Sequence, residues 1–262
     1  KVKPSWTDRR FPDTWGICLL TVSCLFFLSV LACSRGHERD VAKGHRITIL
    51  YPAGSEESLY TEDPAQFLVF LPLVTRNASG ELEGRLAESW EHSADYRTWT
   101  VHLRKDVRWH DDVPVTAHDI KFTLDLLTSP EVHYWPAGSY TVSVLDDNTY
   151  TIACYQKSVG TPLDDWTVYY PKHLLQHLDR RNYWTWDFWN HPLGNGAYRF
   201  VRRVPKTMLE LEANPDYYRG KPKIERVVLK FGDVSGTGAL TELLSGNVDV
   251  IPWVNRMDLL KL

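Results

Sequence analysis

Apolar residues are distributed along this chain in two regimes. From Trp15 to Ala32 (WGICLLTVSCLFFLSVLA) 18 residues pass without a charge. Lys1, Lys3, Arg9 and Arg10 precede this run, and Arg35, Glu38, Arg39 and Asp40 follow it. A basic start, an apolar stretch and small residues at its end form the pattern of a secretory signal. The alternative is an uncleaved membrane anchor. At 18 residues the run is short for a span of roughly 20, and Ser, Thr and Cys dilute it. Both readings place the rest of the chain outside the cytoplasm on a tether.

Beyond His45 the apolar residues come in short, patterned groups. Ile47–Tyr51 (ITILY) suits a buried strand, and residues 52–64, rich in Pro, Gly, Ser and Glu, read as a loop. Ala65–Val74 is nearly all apolar and is expected to be helical. Thr98–Arg104 alternates, with Trp99, Val101 and Leu103 on one face, as a half-buried strand does. Thr116 followed by Asp119 has the spacing of a capping box. A helix should run from there to Leu126 or Leu127, with Ile120, Leu124 and Leu127 on one stripe.

Val142–Leu145 and Thr149–Cys154 read as a hairpin closed by Asp146, Asp147 and Asn148. Pro171–Leu178 starts with Pro at a first helical turn. Tyr198–Val201, Met208–Ala213 and Arg226–Phe231 read as strands, punctuated by Asn214-Pro215 and Gly220-Lys221-Pro222. Thr241–Ser245 closes a short helix with Gly246 as its cap, and Asn247–Ile251 is expected to be a strand. The mixture is α/β (α+β) without strict alternation and without an internal repeat.

Composition narrows the class. The 262 residues are 43% hydrophobic and 24% charged, which fits a globular domain and excludes a disordered or fibrous chain. Without residues 1–32, 26 basic and 31 acidic side chains remain, a formal −5. Such a surface argues against a nucleic-acid partner, which needs a basic face. Cys18 and Cys24 lie in the apolar run, so Cys33 and Cys154 remain and form no CxxC metal pair. Eleven Trp, 13 Tyr and 9 Phe are the unusual feature. They suit a large core or a pocket that grips ligands by apolar and stacking contacts.

Candidate chemistry is sparse. His110, Asp111, Asp112, His118 and Asp119 offer imidazole and carboxylate in a short span. However, His118 and Asp119 diverge by about 100° on a helix, and Asp119 already has a capping role. His110-Asp111-Asp112 reads as a turn that ends a strand, so no metal and no cofactor is expected. No G-x-S-x-G elbow or P-loop occurs, and Gly194-Asn195-Gly196 precedes a strand, unlike a dinucleotide fingerprint. No catalytic residue is assigned. The cluster Tyr183-Trp184-Thr185-Trp186-Asp187-Phe188-Trp189 admits two readings: a sugar or peptide platform, or a loop folding its rings onto the body of the domain.

Three segments carry a resemblance. The first holds Arg85-Leu86-Ala87-Glu88-Ser89-Trp90-Glu91, then Trp99–Lys105, Val107–Asp112 and Pro114-Val115-Thr116-Ala117-His118-Asp119. The second is Pro192–Phe200 (PLGNGAYRF), and the third runs from Leu209 to Ile251. Together they resemble bacterial extracellular solute-binding proteins of the peptide/nickel type (family 5), the receptors of ABC importers. The resemblance covers about residues 46–255. It departs at Asp112 and Ala197, where the family has Gly and Pro, which leaves the tightness of the Asp112 turn open. Val30-Leu31-Ala32-Cys33 is similar to a lipobox, which implies a signal peptide over 1–32, lipid on Cys33 and a tether over 33–45.

The resemblance implies a periplasmic-binding-protein-like (type II) lobe, discontinuous over 46–70 and 165–255, with an inserted subdomain over 71–164. Residues 256–262 would begin a second lobe, missing by truncation, because family members are about twice this size. It also implies loops that line a cleft, with Ser58, Tyr60, Tyr134 and Trp135 as ligand-binding candidates. The expected function is a lipid-anchored, extracytoplasmic, non-enzymatic receptor that captures oligopeptides or dipeptides for membrane permease subunits. A carbohydrate-binding receptor and an extracytoplasmic hydrolase are the rivals.

Overall fold

The computed structural model describes residues 45–53, 65–134, 140–154, 167–234 and 236–252. Strands β1 (Arg46–Pro52), β8 (Tyr198–Val204), β9 (Met208–Ala213) and β10 (Arg226–Gly232) form one sheet in the order β1-β10-β9-β8. β1 runs parallel to β10, with Ile49 opposite Leu229, and the other pairs are antiparallel. β10 lies inside the sheet, and Val227, Val228, Leu229 and Phe231 are all buried. A near-continuous apolar run is what a strand covered on both faces requires. In β9 the alternation is strict, with Leu209, Leu211 and Ala213 turned inward.

A second, antiparallel sheet has the order β4-β5-β7-β6, from β4 (Ala87–His92), β5 (Thr98–Leu103), β6 (Tyr140–Asp146) and β7 (Thr149–Cys154). β5 alternates as its sequence predicts, burying Trp99, Val101 and Leu103. β2 (Val74–Arg76) and β3 (Leu82–Gly84) form a separate ribbon. One apolar core joins the two sheets, reaching from Val101 and Trp109 to Leu211 and Leu229. A small satellite of Leu50, Ala239 and Val248 packs beneath the last helix.

Four α-helices are described: α1 (Gln66–Val69), α2 (Ala117–Leu127), α3 (Lys172–Leu175) and α4 (Gly236–Leu244). α2 starts at the predicted capping box and buries Ile120, Leu124 and Leu127. Its first N–H, from Ala117, donates to the carbonyl of Asp147 at 2.7 Å, which fastens the helix to the β6–β7 turn.

Three expectations are corrected. The apolar run Ala65–Val74 is helical only over Gln66–Val69; Phe70 is extended, and the Leu71 N–H donates to Asn195 Oδ1 at 2.8 Å instead of continuing the helix. Asn247–Ile251 is not a strand of its own, because it touches β1 through a single bridge, Val250 to Ile49. The last helix begins at Gly236 and closes over Thr241–Ser245 as read, with Gly246 after it at φ +74°. The Pro171 helix is also shorter than read, spanning Lys172–Leu175. Asp112 does form the tight turn, in the left-handed conformation at φ +71°.

Candidate functional site

Of the four ligand-binding candidates, the structure describes Tyr134; Ser58, Tyr60 and Trp135 lie outside the described residues, as does Cys33. Tyr134 follows α2 in the chain and is half-buried. Its ring lies against that of Trp184, with centroids 6.1 Å apart and planes at 42°. The two residues are far apart in sequence and belong to different segments, so this pairing is a product of the fold.

Trp184 stands on a segment of two 3-10 turns, Arg180–Thr185 and Asp187–Asn190. Asp179 caps the first by accepting the Arg181 N–H at 3.0 Å. The indole N–H of Trp186 donates to the Asp179 carbonyl at 2.9 Å, and that of Trp189 to the Tyr183 carbonyl at 2.6 Å. Tyr183 sits at the centre of the rings. It meets Trp184, Trp186 and Trp189 edge-on at 4.8, 5.3 and 5.3 Å, in the arrangement the ring quadrupole favours. Its hydroxyl donates to that of Tyr170 at 3.2 Å.

Burial pushes both phenols above their ordinary range, which keeps the two hydroxyls protonated. Phe70 closes the base of the cluster against Tyr170 and Phe188. Most of these rings therefore fold onto the body of the domain. The exception is Trp184, 53% exposed, beside Tyr134. Spacing along the chain shows the Trp-rich segment but not which ring faces outward.

The residues weighed for metal binding separate into structural tasks. Asp119 is buried; its Oδ2 accepts the Thr116 N–H at 2.8 Å and lies 3.4 Å from the Trp109 indole nitrogen, while its Oδ1 accepts the Lys172 N–H at 2.9 Å. His118 faces Asp147 at 3.7 Å, and His173 pairs with Asp111 at 2.8 Å. His110 turns inward onto Gly194 and Gly196. Among the described residues no group of three or more His, Cys, Asp or Glu side chains is placed to hold a metal ion. A surface pocket of about 390 Å³ opens between the α2 N-terminus, the β6–β7 turn and α3, lined by Lys105, Thr116, His118, Asp147, Lys172 and His173 among others. Neither Tyr134 nor Trp184 lines it.

The family model for bacterial extracellular solute-binding proteins, family 5 (middle part), matches residues 81–262. The periplasmic oligopeptide-binding protein OppA of Haemophilus influenzae is 32% identical over 173 residues, covering 58% of this chain and 32% of that protein. A putative ABC transporter peptide-binding protein of Brucella ovis is 32% identical over 192 residues, covering 68% of this chain and 35% of the relative. The crystal structure of NikZ from Campylobacter jejuni in complex with Ni(L-His) has a TM-score of 0.69 at 27% identity, covering 78% of this chain and 42% of that one. The chain thus spans about a third of the length of the curated relatives it matches. No helix among the described residues is long and apolar enough to cross a membrane.

Proposed function

This chain belongs to the bacterial extracellular solute-binding proteins of family 5, and on that premise we propose that it is part of the substrate-binding receptor of an ABC importer that captures oligopeptides or dipeptides. Support for the peptide class comes from two relatives, at 32% identity, whose names are oligopeptide-binding and peptide-binding proteins. The observation that carries the reading is the match itself, which includes both the β5–α2 region and the sheet of β8, β9 and β10.

The receptor works by a hinge that closes two lobes around the solute and presents a closed shape to the permease. This chain contributes one wall of the cleft. Residues 46–70 and 165–255 form the first lobe, and 71–164 an inserted subdomain. Ser58, Tyr60, Tyr134 and Trp135 line the wall, where flat rings bury apolar area at low entropy cost. Nothing in this reading calls for catalysis. Residues 1–32 direct export, and lipid on Cys33 holds the receptor at the outer face of the membrane.

Calorimetric titration of the complete gene product with Ala-Ala-Ala tests the ligand class. Micromolar or tighter binding is expected; no binding of the peptide, with binding of maltotriose instead, replaces the peptide reading with the carbohydrate one. The intact mass of the protein from the membrane fraction tests the anchor. A product that begins at Cys33 and carries a diacylglycerol supports it, and one that retains residues 1–32 overturns it.

A further inference from the structure

Resting on the peptide-receptor reading, we propose that Trp184 determines specificity: its indole extends Tyr134 into a two-ring face that takes an aromatic or large apolar side chain of the bound peptide. Trp184 is the outward ring of its segment. Tyr183 and Trp186 are 1% and 6% exposed, and Phe188 and Trp189 are half-buried, whereas Trp184 is 53% exposed. The segment does not leave it loose. The Asp179 cap, two indole-to-carbonyl hydrogen bonds and the edge-on contact with Tyr183 hold the backbone and the ring's inner edge. A flat ring held from below, with its other surface in water, stacks on a partner at little cost in conformational freedom.

Tyr134 fixes the direction of the face. It arrives from the loop after α2, and its ring meets Trp184 at 6.1 Å, so the two rings border the same space. On the same segment Asp179 and Arg181 pair with each other at 2.7 Å. The face itself is two aromatic rings, which suit an apolar side chain.

The complete gene product, labelled with 5-fluorotryptophan, is titrated with Ala-Phe-Ala and Ala-Ala-Ala, and Trp184→Phe assigns the Trp184 fluorine resonance. The wild type is expected to prefer Ala-Phe-Ala by about tenfold, the scale of one good ring contact plus its burial. Trp184→Ala should reduce that preference to less than about twofold, since stacking is the interaction removed. The Trp184 resonance should move on addition of Ala-Phe-Ala. If both peptides bind and Trp184→Ala keeps the preference, the inference fails while the peptide-receptor reading stands. If the wild type binds neither peptide, that reading fails and takes this inference with it. A Trp184 resonance that answers to maltotriose and not to the peptides assigns the face to a sugar ring and overturns the peptide occupant.

Discussion

The imidazole of His110 is bracketed by the loop that holds Gly194. The Gly194 N–H donates to Nδ1 at 3.3 Å, and Nε2 lies 3.1 Å from the Gly196 carbonyl. The His110 N–H donates in turn to the Gly194 carbonyl at 2.8 Å. One acceptor and one donor on the ring define a neutral imidazole protonated at Nε2. This clamp ties the turn after β5 to the loop that enters β8, and so joins the two sheets.

Burial lowers the His110 pKa from 6.5 to about 4, against the opposing pull of the Gly196 carbonyl; Arg199 lowers it further and Asp111 raises it. Between those values the unfolded chain takes up a proton that the native chain refuses. The stability this clamp contributes is therefore complete above pH 6.5 and is lost as pH falls toward 4. The loss amounts to about 3 kcal/mol across that window. Urea unfolding at pH 7 and pH 4.5 of the wild type and of His110→Gln checks it. The wild type should lose more stability on acidification than the variant, and equal losses would remove His110 from the explanation.

Two glycine substitutions, one in the same loop and one in α4, should act with opposite sign. A Cβ on Gly194 would come within 1.9 Å of the Val69 carbonyl oxygen, which is held in place by the N–H groups of Asn195 and Gly196. Backbone cannot give way as a flexible side chain does, so Gly194→Ala should cost about 3 kcal/mol. Gly238 lies on the exposed side of α4, and the nearest atom to a Cβ there is Asp233 Oδ2 at 3.8 Å. Gly238→Ala should add about 0.5–1 kcal/mol through helix propensity. Chemical denaturation of both variants measures the pair, and a tolerated Gly194→Ala contradicts the close packing.

Two aspartates in α2 separate structural from surface roles. Asp119 accepts from the backbone of Thr116 and Lys172, so Asp119→Ala removes a helix cap and leaves two part-buried N–H donors without their acceptor. A cost of about 3 kcal/mol is expected. Asp125 pairs with Lys121 at 2.7 Å, but both side chains are about two-fifths exposed. Asp125→Ala should change stability by less than about 0.5 kcal/mol. Equal effects from the two substitutions would show that the Asp119 network contributes little.

Elements whose sequence pattern matches one environment are legible in the chain, and those set by distant partners are not. The capping box at Thr116 and Asp119 locates α2, and strict alternation locates β5 and β9. The run Ala65–Val74 misleads because a continuous apolar stretch fits a buried helix and a buried extended chain alike. What decides it is Asn195, 124 residues away, which takes the Leu71 N–H. β4 (AESWEH) escapes sequence reading because it is an edge strand with mostly exposed side chains and hence no apolar period. At the site, the Trp-rich segment is visible, and its burial beneath Trp184 agrees with rings folding onto the domain. The approach of Tyr134 to Trp184 and the His110 clamp are long-range contacts that no local pattern encodes.

Asp112 stands where the family pattern has glycine, and its backbone explains the preference. At φ +71° an L side chain crowds its own carbonyl, a strain that Asp tolerates better than most residues and Gly avoids. The turn depends on the backbone of Asp112: its N–H donates to the Trp109 carbonyl at 2.9 Å, and its carbonyl accepts from Arg108 at 2.8 Å. Both bonds survive replacement of the side chain. Replacement removes only the Arg108–Asp112 ion pair at 3.6 Å, with side chains 54% and 87% exposed, which is worth little in water. Asp112→Gly should therefore gain about 0.5–1 kcal/mol, the strain relief exceeding the extra freedom Gly has in the unfolded chain. Asp112→Ala should lose a similar amount, because Ala bears the Cβ strain without the local hydrogen bonding that favours Asp. Thermal unfolding should rank them Gly, Asp, Ala, with steps of about 2 °C. An inverted order would mean that the Asp112 carboxylate, rather than the turn geometry, holds this corner together.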